Sequence, residues 1–99
     1  MHSKVGDRVG ALLSVNDGVA KLIGYGEFIG AKVPVQNAIG FGSALHIHGY
    51  PNPCIKLDSG KEVFGCECWW GPEDAVKAKL EGLEVIEVDI DEVRKEKGE

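Results

Sequence analysis

The placement of glycine constrains this chain more than any other feature. Of its 14 glycines, only Gly71, Gly82 and Gly98 lie beyond Cys66. They follow no three-residue period, which excludes a collagen-like chain. Glycine inside a strand permits sharp bends and the close approach of another backbone or a ligand. The first two-thirds of the chain are therefore expected to hold bent strands, tight turns and one irregular loop.

Local patterns give the element order. Lys4-Val5-Gly6-Asp7-Arg8-Val9 reads as a turn into a first strand, Val9 to Val15. Asn16-Asp17-Gly18 follows, and Asp-Gly between apolar runs is a strong hairpin signal. A second strand starts at Val19, with Gly24 and Gly26 on one face. Glu27 to Val33 reads as a third strand. Residues 34–53 are broken repeatedly by glycine and proline, and a loop of that length is usually functional or mobile. Within it Ser43 is expected to cap a helical turn through His48, stopped by Gly49. Cys54 to Leu57 and Glu62 to Trp70 read as strands. On the latter, Phe64, Cys66, Cys68 and Trp70 would share the core face. Gly71-Pro72-Glu73-Asp74 opens a helix over 72–81, Leu83 to Ile90 alternates as a terminal strand, and residues 91–99 read as a charged, frayed tail.

These elements predict a mainly β (α+β) fold, an SH3-like bent-sheet barrel with one C-terminal helix and a terminal strand. The opening Lys-x-Gly-Asp-x-Val resembles the first strand of many SH3-like barrels. A single domain over residues 1–90 is expected. A chain of 99 residues buries roughly 60–70% of its unfolded surface. That modest core makes a homo-oligomer, with a pocket between subunits, the natural expectation.

Charge narrows the partners. The net charge is −5, and it resides in residues 71–99, which carry ten acidic and five basic side chains. The near-neutral remainder has no Lys or Arg cluster, so a grip on long nucleic acid is not expected. No apolar run approaches the ~20 residues of a membrane span. Three cysteines cannot complete a disulfide framework, and no signal-type apolar segment follows the start. Both point to a reducing cytoplasm.

No catalytic or cofactor motif is complete, and neither a catalytic residue nor a cofactor is assigned. His46, His48, Cys54, Cys66 and Cys68 are metal-ligating types, but their spacing is not that of a structural zinc site. A cysteine in an apolar strand has its thiolate disfavoured, so buried thiols are the simpler reading. Ligand binding has more support. Trp69 and Trp70 must face opposite ways on a regular strand. Trp69, beside Gly65 and Glu67, is the expected exposed one, suited to stack a base; packing under the C-terminal helix is the competing role. Gly24-Tyr25-Gly26 and Gly40-Phe41-Gly42 are of a kind that can bring backbone N–H groups close to a phosphate, with simple bend and loop chemistry the more frequent role, and neither is a Walker loop or dinucleotide fingerprint. Arg8 and Lys32 are candidate phosphate partners, and His46 or His48 candidate hydrogen-bond partners.

Gly24-Tyr25-Gly26, Pro51-Asn52-Pro53, Leu57-Asp58-Ser59-Gly60-Lys61 and the run Gly65 to Glu73 resemble motifs of small uncharacterised proteins from phages and prokaryotes. The resemblance spans residues 4–75. It implies, as one role, that of phage counter-defence sponges, which sequester nucleotide second messengers in the host cytoplasm without cleaving them. The leading expectation is thus a non-enzymatic binder of a nucleotide-like anion, with Arg8, Tyr25, Lys32, Phe41, His46, His48 and Trp69 as its site residues. A protein-interaction module is the first alternative, and a cysteine-dependent enzyme or zinc protein the second.

Overall fold

The computed structural model describes residues 4–97. Strand β1 (Arg8–Asn16) turns through Asp17 and Gly18 into β2 (Val19–Lys32). Both turn residues have positive φ, 52° and 77°, the type I′ geometry that matches strand twist. The hairpin is as the sequence predicts. The separate third strand is not. Glu27 to Lys32 continues β2, because glycine bends this strand without ending it. Its first half pairs with β1, and its second half pairs with β3 (Asn52–Leu57).

Strand β4 (Glu62–Phe64) pairs with β3, β5 (Trp69–Pro72) returns to β1, and β6 (Glu84–Glu87) joins β2 in parallel. The order is β4-β3-β2-β1-β5, with β6 beside the start of β2. All pairings but that of β6 are antiparallel. The expected barrel is corrected here: β4 and β5 are not paired, and the sheet stays open. The cause lies in residues 62–70, read from sequence as one strand. A 3-10 turn at Gly65–Glu67 divides them and leaves two strands too short to close a barrel. The turn also voids the expectation of a single face for Phe64, Cys66, Cys68 and Trp70.

Three short helices complete the α+β fold. Helix α1 (Gly42–His48) ends at Gly49 in the left-handed region, as expected, but begins one residue before Ser43, which caps nothing. Helix α2 (Glu73–Leu80) follows Pro72. Its Val76 packs with Leu12 and Leu22, against Tyr25. Helix α3 (Ile90–Lys97) replaces both the end of the expected terminal strand and most of the expected frayed tail; Gly98 and Glu99 lie outside the described residues. It forms because Ile90, Val93 and Arg94 make one buried stripe at helical spacing. The Asp89 carboxylate accepts the Asp91 N–H at 3.0 Å, as an N-cap does. Ile90 joins the main core of Val9, Ala11, Ile23, Ile55 and Val63. Among the described residues no helix is long and apolar enough to cross a membrane.

Candidate functional site

The site is built around a buried ion pair. Glu67 and Arg94 are both almost wholly buried. Arg94 donates to the Glu67 carboxylate from Nε at 2.7 Å and from Nη2 at 2.6 Å. Nη2 also donates to the Glu62 carbonyl at 3.0 Å. The same carboxylate accepts the N–H of Phe64 at 3.0 Å and of Ile39 at 3.1 Å. One side chain thus joins β4, the 34–41 loop and α3. Burial disfavours the Arg94 charge, yet its hydrogen bonds to the Glu67 carboxylate hold its pKa above the ordinary guanidinium value. Among the described residues no buried side-chain polar atom lacks a partner.

Against this anchor the loop and α3 enclose a cavity of about 450 Å3. Its polar lining is Gln36, Asn37, Ser43, Arg94 and Lys97, with Ile39 among the apolar walls. The volume lies within the usual range for small-molecule sites. The lining holds two cations and no carboxylate, on a protein of net charge −5. Two further cavities differ. One of about 350 Å3 includes Glu87 and Asp89, with Lys61 tied to Asp89 at 2.8 Å. The other, about 420 Å3, is lined by Glu87, Asp89, Glu92 and Glu96 with Lys21 as its one basic side chain.

The seven residues expected at a site do not converge. Phe41, His46 and His48 lie at α1, on the loop that borders the cavity. His46 Nδ1 is 2.9 Å from the Pro34 carbonyl oxygen, and the His48 ring stacks on Tyr50 with centroids 5.9 Å apart. Arg8, Tyr25 and Trp69 gather instead around α2. Arg8 makes a bidentate pair with Asp58, both contacts 2.7 Å, and reaches Glu73 at 2.9 Å; these carboxylates raise its pKa. Lys77 lies over the Tyr25 ring at 5.4 Å and Lys79 over Trp69 at 5.2 Å. Trp69 is 47% exposed, whereas Trp70 stacks on Phe28 at 5.5 Å. Lys32 pairs with Glu62 at 3.0 Å, which raises its pKa. Arg94 and Lys97 were not read from the sequence. The available signal was a lone arginine on an apolar helical stripe, within a segment too charged to look ordered.

The thiols are quiet. Cys54 is fully buried, and burial pushes its pKa up to about 11. Burial pushes Cys68 up to about 12; its Sγ lies 3.5 Å from the Phe64 carbonyl oxygen. Burial also raises the half-buried Cys66. Since the thiolate is the reacting species, iodoacetamide at pH 7.4 is expected to label the folded protein at least ~10-fold more slowly than the urea-unfolded chain, Cys66 first. Fast labelling of one cysteine, followed by peptide mass spectrometry, would favour cysteine chemistry. Among the described residues no group of three or more His, Cys, Asp or Glu is placed to hold a metal ion. No family model, curated protein or solved structure matches the chain.

Proposed function

We propose that this chain is a non-enzymatic binding protein that sequesters a small nucleotide-like anion in the cavity between the 36–43 loop and α3. The observation that carries the reading is the cavity lining, which offers Lys97 and neutral hydrogen-bonding groups without a carboxylate. Lys97 meets the anionic group. The Arg94 charge is neutralised by Glu67, so Arg94 serves as a fixed wall. Gln36, Asn37 and Ser43 provide the neutral donors and acceptors that a base or ribose edge requires. Phe41, next in the chain to the lining residue Gly40, is an exposed ring available for stacking. Cytoplasmic action and an SH3-like plan for the open sheet belong to the same reading. The early hairpin, the bent β2 and the return of β5 onto β1 support that plan.

A thermal-shift screen with cyclic dinucleotides and ADP-ribose derivatives tests it. A ligand at 100 times its Kd adds about 2.7 kcal/mol, which for a domain of this size raises Tm by roughly 10–20 °C. Lys97→Glu is expected to abolish the shift, and chromatography to recover the nucleotide unchanged. No shift with any nucleotide at millimolar concentration overturns the binding reading, and a converted nucleotide overturns the non-enzymatic one.

A further inference from the structure

Strand β6 joins the sheet by one side only, through β2. The Glu84 N–H donates to the Gly18 carbonyl and the Val88 N–H to the Leu22 carbonyl, each at 2.9 Å. Backbone groups alternate sides along a strand. Glu84, Ile86 and Val88 therefore turn theirs to β2, and Val85 and Glu87 turn theirs outward. All four residues of β6 are exposed, Val85 and Ile86 by 41% each. Such an edge is a template for another chain unless charge, proline or a bulge blunts it. The charges at its two ends are both acidic, Glu84 and Glu87.

The edge stands beside the groove of about 420 Å3 between β6 and α3. Leu13, Ile86, Val88 and Val93 give that groove an apolar floor. Asp89 in its wall is held by Lys61 at 2.8 Å. Among the described residues Glu87, Glu92 and Glu96 form no ion pair. Against these three carboxylates the groove has Lys21, which leaves it at −2. At about 100° per residue, Glu92 and Glu96 stand close together on the side of α3 opposite Arg94. The groove is thus separate from the cavity of the loop, and the inference below is independent of the nucleotide reading.

We infer that β6 takes up an extended, lysine- or arginine-rich segment of a partner protein as an added strand. The outward backbone groups of Val85 and Glu87 make its main-chain hydrogen bonds, and the groove receives alternate side chains, as in β-strand addition. An apolar floor rimmed by carboxylates fits an aliphatic stem with a cationic head, which is the chemistry of lysine and arginine. The intervening side chains lie on the other face, beside Val85, where apolar residues suit. Charge disfavours the other occupants. A second copy would bring Glu84, Glu87 and the α3 carboxylates of both chains to one seam, where facing like charges destabilise a strand pair. An acidic segment meets the same repulsion.

The probe is an octapeptide of alternating lysine and valine, titrated into the nitrogen-15-labelled full chain in about 50 mM NaCl. Amide shift changes are expected to centre on Val85 and Glu87, whose hydrogen exchange slows at least ~5-fold at saturation. The same peptide N-methylated at alternate residues lacks donors for the ladder and is expected to bind at least ~10-fold more weakly. A glutamate–valine octapeptide is expected not to bind. Glu92→Lys combined with Glu96→Lys changes two exposed side chains. It is expected to weaken binding at least ~10-fold with circular dichroism unchanged. Raising NaCl to about 500 mM is expected to weaken binding by screening. No amide shift at about 1 mM peptide overturns the inference. So does equal binding of the N-methylated peptide, which leaves charge attraction alone, and so do shifts centred on α1 or the loop cavity rather than β6. Unchanged affinity in the double variant overturns the role of the groove.

Discussion

Glu67→Ala is expected to destabilise the fold by about 3–5 kcal/mol, the range for breaking a buried ion pair from one side. The loss is large because four donors lose one acceptor. Arg94 would keep its charge in a buried position, and the N–H groups of Phe64 and Ile39 would lose their partner. For a small domain with 5–15 kcal/mol in total, such a loss leaves a substantial unfolded fraction at 37 °C. Two variants separate the terms. Arg94→Met leaves the carboxylate buried but still holding two N–H donors, so a smaller loss is expected. Glu67→Leu combined with Arg94→Met removes both charges and should recover part of the loss. It cannot recover all, since an unsatisfied buried N–H costs about 1–3 kcal/mol. Urea unfolding followed by circular dichroism measures all three. A loss below about 1 kcal/mol for Glu67→Ala would show that the carboxylate does not hold the turn, the loop and α3 together.

The same ion pair explains what the sequence concealed. Features set by neighbouring residues were readable: the Asp17-Gly18 turn, the helix after Pro72 and the stop at Gly49 each depend on local backbone preference. Residues 62–70 fit a two-residue period, yet they break at a 3-10 turn because Glu67 must meet an arginine from α3. That partner is 27 residues away, and no local pattern announces it. Helix α3 was missed for the converse reason. Three buried positions outweigh its charged remainder only when a core is already present to receive them. The candidate site was therefore half legible. Composition singled out the 34–53 loop, but the opposite wall, with Arg94 and Lys97, exists only through long-range packing. Arg8 and Lys32 looked like available cations because their carboxylate partners are also distant in sequence, Asp58 and Glu73 for the first and Glu62 for the second.

Gly26→Ala is expected to destabilise the fold by about 3 kcal/mol or more, at the upper end of overpacking effects. Gly26 pairs with Leu57 where β2 crosses from β1 to β3. A Cβ there would stand 2.2 Å from the Lys56 carbonyl oxygen and 2.7 Å from the Leu57 Cα. Both are backbone atoms, and Leu57 and Ile55 beside them are core residues. Relief would require parting the β2–β3 ladder itself. The comparison variant is Gly60→Ala. Its φ of 95° is strained for alanine, but a Cβ would meet nothing within 4 Å, so a loss of only about 1–2 kcal/mol is expected. Denaturant unfolding of the two variants side by side separates steric from conformational cost. If Gly26→Ala loses no more than Gly60→Ala, the close approach of the strands is not what fixes glycine at this position. The sequence left open whether a glycine here admits a ligand or another backbone. At Gly26 the space is taken by β3, so this glycine serves the close approach of another backbone.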